Sequence, residues 1–287
     1  MAEMLSSLVE RRHPKSMDEY DRALREVIQE FMLVGLWRGK FFEHAAFYGG
    51  TALRLLYGLD RFSENLDFSL LTPSDAFSFE KYFGFLAAEL AALGLEATFE
   101  EKSKESAVDS AFMKTNTRQA LISIGLSPRM VSIVPNNRRI KIKFEADTQP
   151  PPGFSTEVRS ILEPLPIGIR SYTPACLFSS KFHALLARAW GNRVKGRDWY
   201  DLVFFVGRGI PLDLPYLQAR LKASGVNGSG LVDVMDAAAL LHEKIESLDI
   251  ESAKRDVLPF VADRASIELW SKEFFHGLAD RITACRH

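Results

Sequence analysis

The ten residues from Arg138 to Asp147, RRIKIKFEAD, constrain the fold more than any other stretch of the chain. Ile140, Ile142, Phe144 and Ala146 fall on one side of a period of two, and Lys141, Lys143, Glu145 and Asp147 on the other. Successive side chains of an extended chain point to opposite sides, so this alternation calls for a strand with one face buried and one open. A shorter alternation runs from Asn65 to Leu70, where Leu66, Phe68 and Leu70 are set against Asn65, Asp67 and Ser69. Both strands carry acids on the polar side. If they are neighbours in one sheet, Asp67 and one of Glu145 or Asp147 converge on the same surface.

Helical patterns flank these strands. From Met17 to about Arg38, Leu24, Val27, Ile28 and Phe31 recur at three and four, the period of an amphipathic helix. Gly49 and Gly50 make a bend, after which Thr51 is expected to cap a helix from Ala52 to Tyr57 that Gly58 ends. A further helix is expected over Phe79–Leu93. The segment from Ala107 to Leu126 reads as one or two strands with a polar interruption from Lys114 to Arg118. Pro150, Pro151 and Pro152 are expected to close the sheet, because proline cannot donate to a ladder. From Thr173 and Pro174, an N-cap and first-turn pair, the pattern is helical almost to the end. There Phe178, Phe182, Leu185, Leu186 and Ala189 share a stripe opposite Lys181 and Arg188, and a loop leads on to a helix through RDWYDLVFFV. With 287 residues the chain exceeds the usual domain size of about 100–200, so two domains are expected. They are a mixed α/β domain with N-terminal helices over 1–170 and a helical domain over 171–287.

The 36 basic and 37 acidic side chains give a formal net charge of -1, so overall charge argues for neither nucleic acid nor membrane, and any basic surface is local. Arg138, Arg139, Lys141 and Lys143 form one basic set. Arg188, Arg193, Lys195 and Arg197 form another, with Trp190 and Trp199 nearby. That second set has the composition to track an RNA backbone and stack a base, although tryptophans in such runs are more often core anchors. Cys176 and Cys285, without a CxxC, fit neither a disulfide framework nor a zinc site, and suit a reducing compartment. His13, His44, His183, His242, His276 and His287 show no ligand spacing, and none is assigned to metal. Apolar runs stop well short of the ~18 residues of a membrane span, and the first residues lack the apolar core of a secretory signal. A soluble cytoplasmic protein is expected.

The chemistry implied by the residues themselves is that of a triphosphate site. Two carboxylates on neighbouring strands suit magnesium, which takes a few carboxylate oxygens, keeps waters and completes its shell with phosphate. Gly49 and Gly50 at a helix start add backbone N–H groups with no side chains in the way, and helix N-termini attract phosphate. Each feature alone is common: a glycine pair is usually a plain turn, and acids on a strand are usually its solvated face. Their conjunction points to metal-assisted displacement at phosphorus.

The stretch GGTALRLLYGLDRFSENLDFSL resembles the signature of the AbiEii/AbiGii toxin family of nucleotidyltransferases, of the DNA polymerase β-like superfamily. IKIKFEADTQPP resembles the family's third-carboxylate strand, and LFSSKFHALLARAWGNRVKGRDWYDL its downstream lysine and aspartate motifs, in the same order over roughly Ala46 to Val206. The resemblance implies an α+β fold: a nucleotidyltransferase-like mixed sheet flanked by helices, followed by an all-helical C-terminal domain. It also implies a bacterial toxin paired with a cognate antitoxin, transferring nucleotides from an NTP to an RNA acceptor such as tRNA, with Mg2+ as cofactor and Mn2+ as a substitute.

Carried over to this chain, the resemblance sets Gly49, Gly50 and Thr51 at the triphosphate turn and Asn65 and Asp67 at the paired-carboxylate positions. Glu145 fits the third acid best, with Asp147 as the alternative. Lys181 stands at the lysine that neutralises phosphate charge, and Asp198 and Asp201 lie in the last motif, three apart on one helix face. Arg54 and Arg61 either face the nucleotide or pair with Glu64 and Asp60, and Ser63, beside the acidic motif, is a further candidate for nucleotide contact. The catalytic set is therefore Asp67, Glu145, Lys181 and Asp198, and the metal set Asn65, Asp67, Glu145 and Asp147. Asn65 departs from the family pattern: its amide oxygen ligates a cation without offsetting charge. The rival expectation is a catalytically degenerate protein of the same fold that binds nucleotide or a partner.

Overall fold

The computed structural model describes residues 2–102, 107–187, 194–226, 230 and 233–285. Two helices, α1 (Ala2–Glu10) and α2 (Met17–Arg38), lead into β1 (Ala45–Tyr48), α3 (Gly49–Tyr57), β2 (Leu66–Leu70) and α4 (Glu80–Ala92). Next come β3 (Ala97–Glu101), β4 (Val108–Asn116), the short helices α5 (Thr117–Ser123) and α6 (Pro128–Val131), β5 (Arg139–Asp147), β6 (Thr156–Ile161) and β7 (Ile167–Tyr172). Helices then follow to the end: α7 (Pro174–Ala187), α8 (Gly196–Gly207), α9 (Leu214–Ser224), α10 (Val234–Glu246), α11 (Ile250–Val257), α12 (Ala265–Glu268) and α13 (Lys272–Ala279). The seven strands form one mixed sheet in the order β3-β4-β5-β2-β1-β7-β6. This is the expected α+β architecture.

Two compact units divide the chain. The first comprises Met1–Ala52, Glu64–Pro150 and Val158–Ser171; the second comprises Leu53–Ser63, Pro151–Glu157 and Tyr172–His287. The chain last passes from the first unit to the second between Ser171 and Tyr172, and two short earlier segments, 53–63 and 151–157, go with the second unit.

Within the first unit, β5 buries Ile140, Ile142, Phe144 and Ala146 as its alternation demands. α2 and α4 supply much of the core. Ser16 caps α2 by accepting from the Glu19 N–H, and the helix is buried almost continuously from Ala23 to Leu36. The two helices approach closely at Gly35, where an added Cβ would lie 3.1 Å from the backbone of Phe85 and Leu86. Aromatic edges fill the space over the sheet: Phe41 meets Phe68 at 4.8 Å and Tyr82 at 5.0 Å, and Phe79 meets Phe144 at 4.8 Å.

Three expectations are corrected. The helix after the glycine bend begins at Gly49, so Thr51 lies inside its first turn instead of capping it. The polar stretch from Lys114 does not interrupt a strand: β4 runs through Asn116, whose side chain then caps α5 by accepting from the Gln119 N–H. Nor do the prolines close the sheet. β6 and β7 follow them, and β7 pairs in parallel with β1 at Phe47 and Ser171. A proline forbids a ladder bond only at its own nitrogen, and the chain re-enters the sheet once past it.

In the second unit α7 begins at Pro174, and α8 begins at Gly196, where any Cβ would overlap the carbonyl of Ala253 on α11. Trp199 is fully buried and meets Phe275 edge-on at 4.7 Å, so it is a core residue and not a base-stacking platform. Trp190, Arg188 and Arg193 lie outside the described residues. Among the described residues no helix is long and apolar enough to cross a membrane.

Candidate active site

The acid-bearing strands are neighbours. β2 and β5 pair in parallel, with Asp67 opposite Glu145 and Ser69 opposite Asp147. β1 extends the same row on one side, where Tyr48 faces Asp67, and β4 on the other, where Ser110 faces Glu145. Cross-strand partners share a face, so Asp67 and Glu145 project side by side, one strand spacing of about 4.8 Å apart, and Asp147 stands two residues further along. Glu145 is held from both sides: Ser110 Oγ donates to its Oε1 at 3.1 Å, and Lys143 Nζ lies 2.5 Å from the same oxygen. Asp147 Oδ1 accepts from the Gln149 N–H at 3.1 Å.

The glycine bend abuts Asp67. Gly49 has φ 81°, and a Cβ there would collide with Asp67 Oδ2 and come within 3.0 Å of Asp67 Cβ. Only glycine accommodates both the left-handed backbone and the carboxylate against it. Thr51 is fully buried, and its hydroxyl donates to the carbonyl of Asn65. This bond ties the first turn of α3 to the residue leading into β2.

The second unit gathers the downstream motif residues. Lys181 on α7 lies 2.8 Å from Asp201 Oδ2 and 3.8 Å from Asp198 Oδ1, both on α8. Arg61 completes the group, its guanidinium bridging both oxygens of Asp201 at 2.7 Å each. Arg61 and Asp201 are almost wholly buried, at 3% and 0% side-chain exposure. Burial alone would raise the Asp201 pKa, but the Arg61 guanidinium and then Lys181 outweigh it and hold the carboxyl below its ordinary value. Neither partner anticipated for Arg61 is taken up; Asp60 instead accepts from the Tyr200 hydroxyl at 2.5 Å.

The donor chemistry of the first unit fits magnesium in a particular way. Among the described residues no group of three His, Cys, Asp or Glu side chains is gathered as a metal cage. Two in-register carboxylates beside a bare glycine bend match an ion that takes one or two carboxylates and completes its shell with substrate phosphate. Asp67 and Glu145 would hold it.

A model of the "Nucleotidyl transferase AbiEii toxin, Type IV TA system" family matches residues 31–276. The chain belongs to the AbiEii family. Comparison with curated proteins by sequence gave no match. Among solved structures the chain is similar to MenT4, a nucleotidyltransferase toxin from Mycobacterium tuberculosis, with a TM-score of 0.55 at 16% identity over 97% of this chain and 90% of that one. It is likewise similar to JHP933 from Helicobacter pylori, with a TM-score of 0.52 at 19% identity over 89% of each chain. At such identities the likeness establishes the fold, which this AbiEii chain shares with both.

The remaining AbiEii candidates sit as follows. Asn65 is half-buried just before β2. Gly50 is buried in the first turn of α3. Arg54, further along that helix, reaches toward the Leu59 carbonyl at 3.5 Å, and Ser63 is buried on the connection to β2. Of the basic sets, Lys143 is on Glu145, Arg138 lies 3.6 Å from Asp21, Lys141 covers the Phe112 ring, and Arg197 covers the Phe260 ring. Two partnerships were not legible in the sequence: Arg61 with Asp201, 140 residues away, and the Thr51 hydroxyl with a backbone carbonyl. The arginine does stand inside the signature stretch, which is the one signal that could have drawn attention to it.

Proposed function

We propose that this AbiEii-family chain is a metal-dependent nucleotidyltransferase toxin that moves a nucleotide from an NTP to an RNA acceptor of the tRNA kind. The observation that carries the reading is the register of Asp67 with Glu145 on adjacent strands, with Gly49 packed against Asp67. In this reading an acceptor hydroxyl attacks the α-phosphorus in line. The new P–O bond forms as the bond to the bridging oxygen breaks, pyrophosphate leaves, and the hydroxyl proton passes to solvent. Mg2+, or Mn2+ in its place, supplies charge neutralisation and a more acidic attacking hydroxyl when bound. Asp67 and Glu145 hold that ion, with Asn65 and Asp147 as further oxygen donors. The N–H groups at Gly49 and Gly50 bind phosphate oxygens. Lys181, assigned by the family resemblance, neutralises triphosphate charge, an effect that grows where water is excluded. Asp198 and Asp201 orient its ammonium. A cognate antitoxin as partner follows from the family, and action in the cytoplasm from the RNA acceptor.

Incubating the protein with labelled triphosphates, Mg2+ and total bacterial RNA tests this. Label should enter RNA and disappear in Asp67→Ala; clean triphosphate binding with no acceptor labelled sinks the reading. The degenerate alternative has its own support in Asn65 and in the Lys143 ammonium on Glu145. Asn65→Asp separates the two: a large gain in metal-dependent turnover marks a crippled site, and no change marks a tolerated ligand.

A further inference from the structure

At the end of β1 remote from Gly49, the first unit carries a groove of about 410 Å3 that the proposed chemistry does not use. Its walls include Trp37 and Arg38 from the end of α2, Lys40 and Glu43 from the connection to β1, Val158 from the edge strand β6, and Arg170 from β7. Gly168 keeps the floor open, since a Cβ there would come 3.2 Å from Val158 Cγ1. Two of the walls are apolar and solvent-facing, Trp37 at 44% and Val158 at 64% exposure. Three cations, Arg38, Lys40 and Arg170, line the groove with one acid, Glu43, and a second acid, Glu89, is paired with Arg38 from beside it, which leaves a small excess of positive charge. Arg38 is half exposed and lies 2.6 Å from Glu89, while Lys40 is 75% exposed and only 3.9 Å from Glu43. Arg170 Nε donates to the Phe42 carbonyl at 3.1 Å, which fixes the base of its guanidinium.

Lys40 also ends α2. Its φ is 59°, one of two positive values for non-glycine residues in the described chain. Helices commonly end on a left-handed glycine, and here Gly39 is adjacent. Gly39, however, has φ -75° and is committed to packing: a Cβ on it would come 3.0 Å from the rings of Tyr82 and Phe85. The left-handed step falls on Lys40, the residue after the C-cap, and Lys40 lines the groove. A lysine is an uncommon choice at this position, where glycine is usual, and it sets a cation at the end of α2.

We propose that this groove is a contact for single-stranded RNA, with the Trp37 indole stacking a base and Lys40, Arg38 and Arg170 taking phosphates. Stacking on an aromatic face within a cationic groove is the chemistry by which proteins hold single strands without reading sequence. The inference rests on the RNA-acceptor reading above and gives that acceptor a second foothold at the opposite end of β1 from the glycine bend.

The test measures binding of the full chain to a labelled single-stranded RNA of about 12 nucleotides by anisotropy at several salt concentrations. Trp37→Ala should weaken binding about five-fold or more. Lys40→Gly should weaken it as well and lower the slope of log affinity against log salt by about 0.7, the share of one cation on a single strand. Because glycine relieves the left-handed strain, its Tm should not fall, so lost binding cannot be ascribed to unfolding. Lys15→Ala, outside the groove, should leave both quantities unchanged. Wild-type affinity in Trp37→Ala and Lys40→Gly would reduce Lys40 to a helix stop and overturn the proposal, leaving the RNA reading intact. A wild-type protein that binds no RNA overturns both. Groove variants that keep RNA affinity but lose a co-purifying protein would assign the face to a protein partner and overturn it too.

Discussion

Gly49 carries two constraints at once, a left-handed backbone and a carboxylate packed where its Cβ would be. Gly49→Ala should cost about 1–2 kcal/mol from the backbone alone. It should abolish nucleotide transfer out of proportion to that loss, because the methyl group displaces Asp67. Urea midpoints and RNA labelling on the same preparation check this, and wild-type turnover in the variant would remove Gly49 from the site. Lys143 acts in the opposite sense, as a cation already resting on Glu145. In Lys143→Met the competing ammonium is gone, and half-saturation by Mg2+ should fall about two- to five-fold, the range of a partly exposed ion pair. An unchanged Mg2+ requirement would mean the lysine swings aside at no cost. At this scale the acids were legible because alternation fixes the face of a strand residue. The Thr51 hydroxyl was not, because a side chain to backbone bond across 14 residues leaves no periodic trace.

The elements α7 and α8 and the loop bearing Arg61 meet at one carboxylate. Asp201 answers two buried or half-buried cations, whereas Arg61 has Asp201 as its bidentate partner. Their removal should therefore be unequal. Asp201→Asn strands a buried guanidinium and should cost about 3–5 kcal/mol. Arg61→Met leaves Asp201 still paired with Lys181 and should cost clearly less. Urea unfolding of both variants decides it, and equal losses would mean that Lys181 contributes nothing to Asp201. Element by element, long periodic segments such as α2, α4, β5 and α7 could be read from the sequence, since each repeats one burial pattern over several turns or pleats. β6 and β7 could not: three prolines stand before them, and their place beside β1 is set by pairing with Phe47, far away in sequence. The same holds for His242 and His276, 34 residues apart, whose Nδ1 atoms face each other at 2.6 Å between α10 and α13.

Over the whole molecule a net charge of -1 hides buried charge networks with opposite responses to pH, one in each unit. In the second unit the Asp201 pKa is lowered, so its contribution to stability is present above the ordinary value of 3.8 and is lost as pH falls through the folded value. In the first unit Glu30 on α2 is raised from 4.5 to about 7. Burial is the main cause. The Arg12 guanidinium, 2.5 Å away, opposes it, but Arg12 is shared with Glu26 at 3.1 Å. Glu30 Oε2 is also buried without a hydrogen-bond partner among the described residues. A raised carboxyl pKa has the reverse sign: its contribution is complete below 4.5 and is lost as pH rises through about 7. Glu30→Gln, which keeps the shape and is neutral throughout, should flatten the wild-type decline between pH 4.5 and 7. At pH 8 it should raise stability by at most ~3 kcal/mol. Urea midpoints of wild type and variant across that range measure the effect. Were the two curves parallel from pH 4.5 to 8, Glu30 would titrate as it does in the unfolded chain, and Arg12 would have offset burial in full.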